Sequence, residues 1–234
     1  ISIIACNKIA CSSSYKYYEQ LKNLAYRYNA YFLFETNVGA GLPVLGTLND
    51  LLRSGDEVLK IEAVLSGTLN FIFNNYNGEK SFSEVVRQAA KEGYTEPDPR
   101  LDLSGVDVMR KILILARESG YSLELSDIQN QSFMPEECLN CDLKDLYPVL
   151  EKHEDHFYSL IKGAQERGNK LKYVAEFNNG KAVTGLKEID STHDFYHLYG
   201  KDNIVAFYTK RYPEQPLVIK GAGAGAAVTA SGVF

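Results

Sequence analysis

The chain has 234 residues, 45% of them hydrophobic and 24% charged, with a net charge of −5. That length supports one large or two small domains with a substantial core. An acidic balance without any basic block excludes a nucleic-acid footprint, and no apolar run approaches the ~20 residues of a membrane span. Four cysteines are too few for a disulfide framework. With no basic-then-apolar leader at the start, a cytosolic protein with reduced thiols is expected. A zinc site joining Cys6 and Cys11 to the C-x-x-C of Cys138 and Cys141 is disfavoured, because nothing in the spacing brings the two pairs together.

Taken in chain order, 1–5 is a short apolar run that reads as a buried strand. Ser12-Ser13-Ser14 offers caps for a helix with Tyr18, Leu21, Ala25 and Tyr28 on one face. A second buried strand is expected over 31–34. The Gly-rich loop TNVGAG leads into a helix with Pro43 in its first turn and Gly55 at its end. Strand, helix, strand, helix suggests parallel pairing up to about residue 55.

The character then changes. Leu59, Ile61, Ala63 and Leu65 alternate as in a half-buried strand, and Ser66-Gly67-Thr68 opens a helix over LNFIFNNY. Ser81 and Glu84 have capping-box spacing for a helix that Gly93 ends, and 151–167 reads as one further helix. Asn179-Gly180 between two alternating runs predicts a hairpin with a type I′ turn, and two more strands follow in NIVAFYTKRY and PLVIK. An α/β unit is thus expected first, then an α+β domain with a mixed or largely antiparallel sheet. The late GAGAGA, Gly221 to Ala226, has the form of a dinucleotide fingerprint. With eight residues after it, it lacks the second strand and the ribose-binding acid, and a close backbone crossing is expected instead.

The densest chemistry lies in GYTEPDPRLDLSGVDVMRK, Gly93 to Lys111. Ser104 and Asp107 stand in capping register, and Lys111 lies one turn beyond Asp107, where the two can pair. A capped helix accounts for this spacing. So does a site in which a lysine delivers a proton to a carbonyl oxygen, one carboxylate orients the lysine, and Glu96 grips an ammonium group. Pro97 and Pro99 predict an extended path that brings Glu96 around, with Asp98 and Asp102 as loop residues. His153 and His156 lack zincin spacing, and a solvated polar face is expected for them.

This segment, with Asn7-Lys8, ETNVGAGLPV, LSGTLNFIF and GAGAGAAVTASGVF, resembles the homoserine dehydrogenase family over nearly the whole chain. NKIACSSSYKYYEQL and LFETNVGAGLPVL look most like the form fused behind an aspartokinase. The resemblance implies NAD- or NADP-dependent interconversion of aspartate 4-semialdehyde and homoserine, in the threonine and methionine branch of amino-acid biosynthesis. It makes Lys111 the proton donor, Lys8 a second catalytic lysine beside the nicotinamide, and Asp107 the residue that orients Lys111. Glu96, Asp107, Gly67 and Thr68 would bind the amino-acid substrate, and Lys8, Gly93 and Gly225 would approach the cofactor. Glu35 with the carbonyls of Val38, Ala40 and Leu42 would form a monovalent-cation (sodium) site.

The resemblance further implies three segments. Residues 1–55 would be the later part of a Rossmann-like nucleotide-binding domain, 56–220 a catalytic and dimerisation domain with helices on one face of its sheet, and 221–234 a return toward the first. A homodimer or larger homo-oligomer is expected, without nucleic-acid or membrane partners. The family's first Rossmann half and its closing helix have no counterpart in these residues, so the 234 residues alone are expected to bind cofactor poorly. On the residues alone, a non-catalytic dimerisation module and a carboxylate-pair hydrolase built on Glu96 and Asp107 remain alternatives.

Overall fold

The structure is a computed structural model describing residues 1–234. Its first part is small. Strand β1 (Ile3–Ile4) pairs in parallel with β2 (Phe32–Leu33), and between them run the short helix α1 (Ile9–Ser12) and α2 (Tyr15–Arg27). The side chain of Ser14 accepts from the Tyr17 amide at the start of α2, as the serine run predicts. A 3-10 turn, Glu35–Asn37, and the Gly-rich loop lead to α3 (Val44–Arg53), which Gly55 follows at φ 80°. The two strands are shorter and more exposed than their apolar runs suggest. Ile3 and Ile4, on opposite faces of the strand, are each 54% exposed and Leu33 is 48% exposed, so within the chain neither face of this two-stranded ribbon is fully covered.

The second part is built on a six-stranded sheet in the order β4-β6-β5-β3-β7-β8. Strand β3 (Val58–Val64) lies in its middle. It is followed by α4 (Gly67–Asn75), α5 (Phe82–Lys91), α6 (Pro99–Leu103), α7 (Val106–Glu118), β4 (Ile128–Gln131), α8 (Glu136–Asn140), α9 (Leu146–Lys152) and α10 (Glu154–Glu166). Strands β5 (Lys170–Asn178), β6 (Lys181–Ile189), β7 (Asp202–Thr209) and β8 (Leu217–Ala222) and helix α11 (Ala226–Val233) complete the chain. Every ladder is antiparallel except β4 with β6, so the sheet is mixed. The capping box at Ser81 and Glu84 is formed. The β5–β6 turn places Asn179 at φ 48° and Gly180 at φ 77°, as a type I′ turn requires. No helix is long and apolar enough to cross a membrane.

One face of the sheet carries the large core, into which α4, α5 and α7 pack. The other is partly covered by the segment after β6, where Phe195 and Leu198 pack on Val64, Val174 and Ile204. That cover explains why β3 departs from simple alternation: Val64 is fully buried and Glu62 nearly so. Burial alone would raise the Glu62 carboxyl, but His193, Lys60 and Lys187 outweigh it and hold its pKa at about 2.

Four further expectations are corrected. Residues 151–167 form two helices, α9 and α10, broken at His153. His153 meets Glu137 at 2.9 Å and His156 meets the Phe133 carbonyl at 2.8 Å, so both rings tether helices to neighbouring chain rather than standing in solvent. Asp102 lies in α6, not in a loop, because Asp98 caps that helix and Pro99 sits in its first turn. Finally, Ser104 is not the N-cap residue of α7, although its hydroxyl accepts the Val106 amide at 3.3 Å. It closes α6, and Gly105 at φ 74° makes the turn between the two helices.

Gly105 is dictated twice over. Its backbone is left-handed, and a Cβ there would stand 2.1 Å from the Tyr173 hydroxyl. That hydroxyl is itself held by Asn130 Oδ1 at 2.8 Å. Gly105→Ala should therefore lose roughly 2–4 kcal/mol in a denaturant titration. An unchanged midpoint would refute this account of the α6–α7 turn.

Candidate active site

Helix α7 organises the site. Its last two turns, Ile112 to Arg117, are buried on every side, which locks the helix between the sheet and the first part of the chain. Its half-buried first turns carry Asp107 and Lys111. The pair expected from their spacing is formed, with Lys111 Nζ 2.8 Å from Asp107 Oδ2. Lys111 also donates to the Leu65 carbonyl at 2.7 Å, at the end of β3. From the far end of the sequence, Lys8 Nζ reaches Asp107 Oδ1 at 3.2 Å. Burial alone would raise the Asp107 carboxyl, but the ammoniums of Lys111 and Lys8 outweigh it and hold its pKa below the usual carboxylate range. With 45% of its side chain exposed, solvent screens part of that effect.

Two clamps bring Lys8 to Asp107. Asn37 is fully buried, and with its side-chain amide turned to the orientation that its neighbours require, the nitrogen donates to the carbonyls of Ala5 and Cys6 at 3.1 Å each, fixing the stretch between β1 and Lys8. Arg117, on the buried end of α7, donates to the Cys11 carbonyl at 2.8 Å and pairs with Glu124 at 3.2 Å. Glu124 in turn accepts the Tyr15 amide at 2.8 Å. The helix beginning beside Lys8 is thereby fastened to the helix carrying Asp107. Neither clamp has a local signature, since each joins residues far apart in sequence.

Glu96 lies exposed in the irregular segment between α5 and α6. Asp102, which the local pattern leaves without a role, brackets that segment. One of its oxygens takes the Glu96 amide at 2.8 Å, and the other takes the Thr68 hydroxyl at 3.0 Å. The single hydrogen of Thr68 Oγ1 is shared between Asp102 and the Tyr94 carbonyl, both of which lie within its reach. Burial raises the Asp102 pKa, and these two donors offset part of the rise. The Thr68 hydroxyl is therefore committed within the protein, while Gly67 and Thr68 place their amides at the first turn of α4, which Ser66 caps. A helix start of this kind favours an anion.

The remaining candidates are distributed as follows. Gly93 and Gly225 have φ of 74° and 121°, and both face open space where a side chain would stand. The Gly-rich tail is a backbone crossing: a Cβ on Gly223 would meet Asn203 at 2.1 Å, and α11 packs against the 36–41 loop through Gly232. Both Glu35 oxygens accept amides at the start of α3, from Leu45 at 2.8 Å and Gly46 at 2.7 Å. Among the carbonyls expected to hold a cation, Leu42 accepts the Val44 amide at 2.8 Å, whereas those of Val38 and Ala40 accept no hydrogen bond. All four cysteines are free thiols, with Cys138 buried and its pKa pushed up to about 11 by burial. No group of three or more His, Cys, Asp or Glu side chains forms a metal cluster.

The sequence model of the homoserine dehydrogenase family matches residues 43–234. The bifunctional aspartokinase/homoserine dehydrogenase 1 of Zea mays is 46% identical over 100% of this chain, which spans 26% of that protein. The homoserine dehydrogenase of Schizosaccharomyces pombe is 41% identical over 100% of the chain and is covered over 65% of its own length. Among solved structures, a hyperthermophilic archaeal homoserine dehydrogenase in complex with NADPH superposes with a TM-score of 0.75 at 26% identity, over 100% of this chain and 62% of that one. The chain thus spans about a quarter of the length of the bifunctional relatives it matches.

The Asp102 bracket is open to direct test. Asp102→Ala removes the acceptor of the Glu96 amide and leaves the Thr68 hydroxyl to the Tyr94 carbonyl alone, so stability should fall by about 0.5–1.5 kcal/mol. Hydrogen exchange at the Glu96 amide should accelerate more than at amides of α7. Unchanged protection at Glu96 would show that Asp102 does not hold this segment.

Proposed function

The chain belongs to the homoserine dehydrogenase family, and from that premise we propose that it forms the catalytic part of an enzyme interconverting aspartate 4-semialdehyde and homoserine. The observation that carries the proposal is the shared carboxylate: Asp107 holds Lys111 at 2.8 Å and Lys8 at 3.2 Å beside the Leu65 carbonyl and the start of α4.

In the reductive direction the aldehyde carbon gains a hydride and its oxygen gains a proton. Lys111 is the proton donor to that oxygen. Asp107 and the Leu65 carbonyl fix its ammonium, so that one N–H remains to point at substrate. The Glu96 carboxylate, held in place through its own amide by Asp102, takes the substrate ammonium. The amides of Gly67 and Thr68 take the substrate carboxylate at the start of α4. Three anchor points on one small molecule leave the aldehyde in a single orientation. Lys8, on the other oxygen of the Asp107 carboxylate from Lys111, is a second cation for the nicotinamide end of the site.

A nicotinamide cofactor, NADP or NAD, would supply or accept the hydride when bound. Residues here suited to its nicotinamide end are Lys8, Gly93 and Gly225, the two glycines leaving open space at positive φ where a side chain would intrude. The archaeal homoserine dehydrogenase in complex with NADPH supports a nicotinamide cofactor. A monovalent cation such as sodium would take the free carbonyls of Val38 and Ala40, joined by Leu42, with the Glu35 carboxylate supplying negative charge. Gly39 and Ala40, at φ 81° and 52°, give the loop the tight turn such a site needs.

We also place the reaction in the threonine and methionine branch of amino-acid biosynthesis, in a homodimer or larger homo-oligomer, with an aspartokinase portion as in the maize relative. Exposed Val218 and Tyr199, beside the second face of the sheet, support an interface between copies. A cytoplasmic location is proposed, although the plant relatives are chloroplastic.

Lys111→Met in the full-length protein should lower kcat for homoserine oxidation by about 10²–10⁴-fold. Equilibrium binding of the nicotinamide cofactor should change by less than about twofold, because Lys111 acts on the substrate oxygen. Hydride transfer at the wild-type rate would rule out Lys111 as proton donor and favour a non-catalytic role for the chain.

A further inference from the structure

Lys172, on β5, is fully buried, and the chemistry above makes no use of it. Its three ammonium hydrogens go to three neutral oxygens: Asn70 Oδ1 at 2.8 Å, Asn74 Oδ1 at 2.7 Å and the Leu198 carbonyl at 2.7 Å. No carboxylate pairs with it. Burial, reinforced by the ammoniums of Lys170 and Lys220, holds its pKa down at about 7. A buried ammonium without a counter-ion is costly even when every N–H is satisfied.

The network is tied to the substrate end of the site. Asn70 passes its own amide on to the Gly200 and Asp202 carbonyls at 3.1 and 3.3 Å, and Asn74 passes its amide to the Leu198 carbonyl at 3.1 Å. One ammonium and two side-chain amides thus join α4, β5 and the 198–202 segment. That segment forms the wall of the site: the Lys201 carbonyl lies 2.8 Å from where a Cβ on Gly67 would stand, and Asn203 Nδ2 reaches the Leu65 carbonyl at 3.4 Å. The last ladder pair of β3 with β5 is Ala63 with Ala175, so Lys172 lies past it, level with the turn from β3 into α4. Asn70 is one helical turn from Gly67.

We propose that Lys172 is a positioning residue for the anionic end of the substrate, holding α4 against the 198–202 segment and setting an uncompensated positive charge behind the Gly67 and Thr68 amides. The inference rests on the homoserine reading, in which those amides receive the substrate carboxylate. In the protein interior a unit charge with no counter-ion projects into a neighbouring site far more strongly than a solvated one, and here it adds to the favourable end of the α4 dipole.

Asn74→Asp gives Lys172 a carboxylate partner of the same shape. In the full-length protein, assayed about one pH unit below the Lys172 value of about 7 so that its ammonium is charged, this should raise KM for homoserine about tenfold, as expected for cancelling one nearby charge. KM for homoserine amide, which lacks the carboxylate, should change by less than about twofold. Any cost of the altered bond to Leu198 falls on both compounds alike, so the ratio of the two KM values isolates the charge. Lys172→Met should shift that ratio in the same direction, and Asn74→Asp keeps the test available if the methionine variant fails to fold. Equal effects on the two compounds, or none on either, would overturn the proposal and leave Lys172 as a part of the fold alone. Wild-type protein inert toward both compounds would overturn the homoserine reading, and this inference with it.

Discussion

Two ammonium groups share one carboxylate at the junction of the two parts of this chain, and the positions of most other functional groups follow from that contact. Asp107 is bound by Lys111 from its own helix and by Lys8 from a strand-to-helix turn about a hundred residues away. Either lysine alone would make an ordinary half-exposed ion pair of small energetic consequence. Together they require the start of α1 and the first turns of α7 to stay within a few ångströms of each other. The buried end of α7, with Arg117 on the Cys11 carbonyl, supplies the rigidity that makes this possible.

A second constraint acts at the other side of the site. Strand β3 ends at Val64, and the chain turns at once into α4, so that Leu65 offers its carbonyl to Lys111 while the next residues begin a helix. The strands on either side, β5 and β7, run past this point and supply the groups that fix the turn. Asp102 then ties the start of α4 to the Glu96 segment. The proposed proton donor, amine-binding carboxylate and anion-binding amides are thus held by separate elements that converge at one end of a central strand. A bifunctional, zwitterionic substrate matches such an arrangement better than a carboxylate-pair hydrolase would, because the cations lie beside the carboxylate proposed as its partner.

Local rules reached the features that depend on neighbours in sequence. The Asp107–Lys111 pair, the Ser81–Glu84 capping box, the Asn179-Gly180 turn and the backbone crossing of the Gly-rich tail all rest on spacing or backbone freedom. What escaped them depends on distant chain. Asp102 looks like a loop acid until Thr68 is folded against it, and Asn37 gives no sign that it grips the stretch before Lys8. Ser104 has the right spacing for a cap, but Tyr173 packed against Gly105 leaves room only for glycine, and the turn is made there. Burial of Glu62 and Lys172 could not be read from β3 or β5, because the covering segment after β6 has no periodic pattern. The short apolar runs of β1 and β2 predict burial that nothing else in the chain provides.

The central claim is that two ammoniums act on one carboxylate, and the pKa of Asp107 measures it. Carbon-13 NMR titration of the side-chain carboxyl should place the wild-type midpoint below the ordinary aspartate value of about 3.9. The contribution to stability is then present above the ordinary value and lost as pH falls through the lowered one. Lys8→Met should move the midpoint back up toward the ordinary value while α7 stays folded. A wild-type midpoint at or above the ordinary value, or one that Lys8→Met leaves unmoved, would contradict the account.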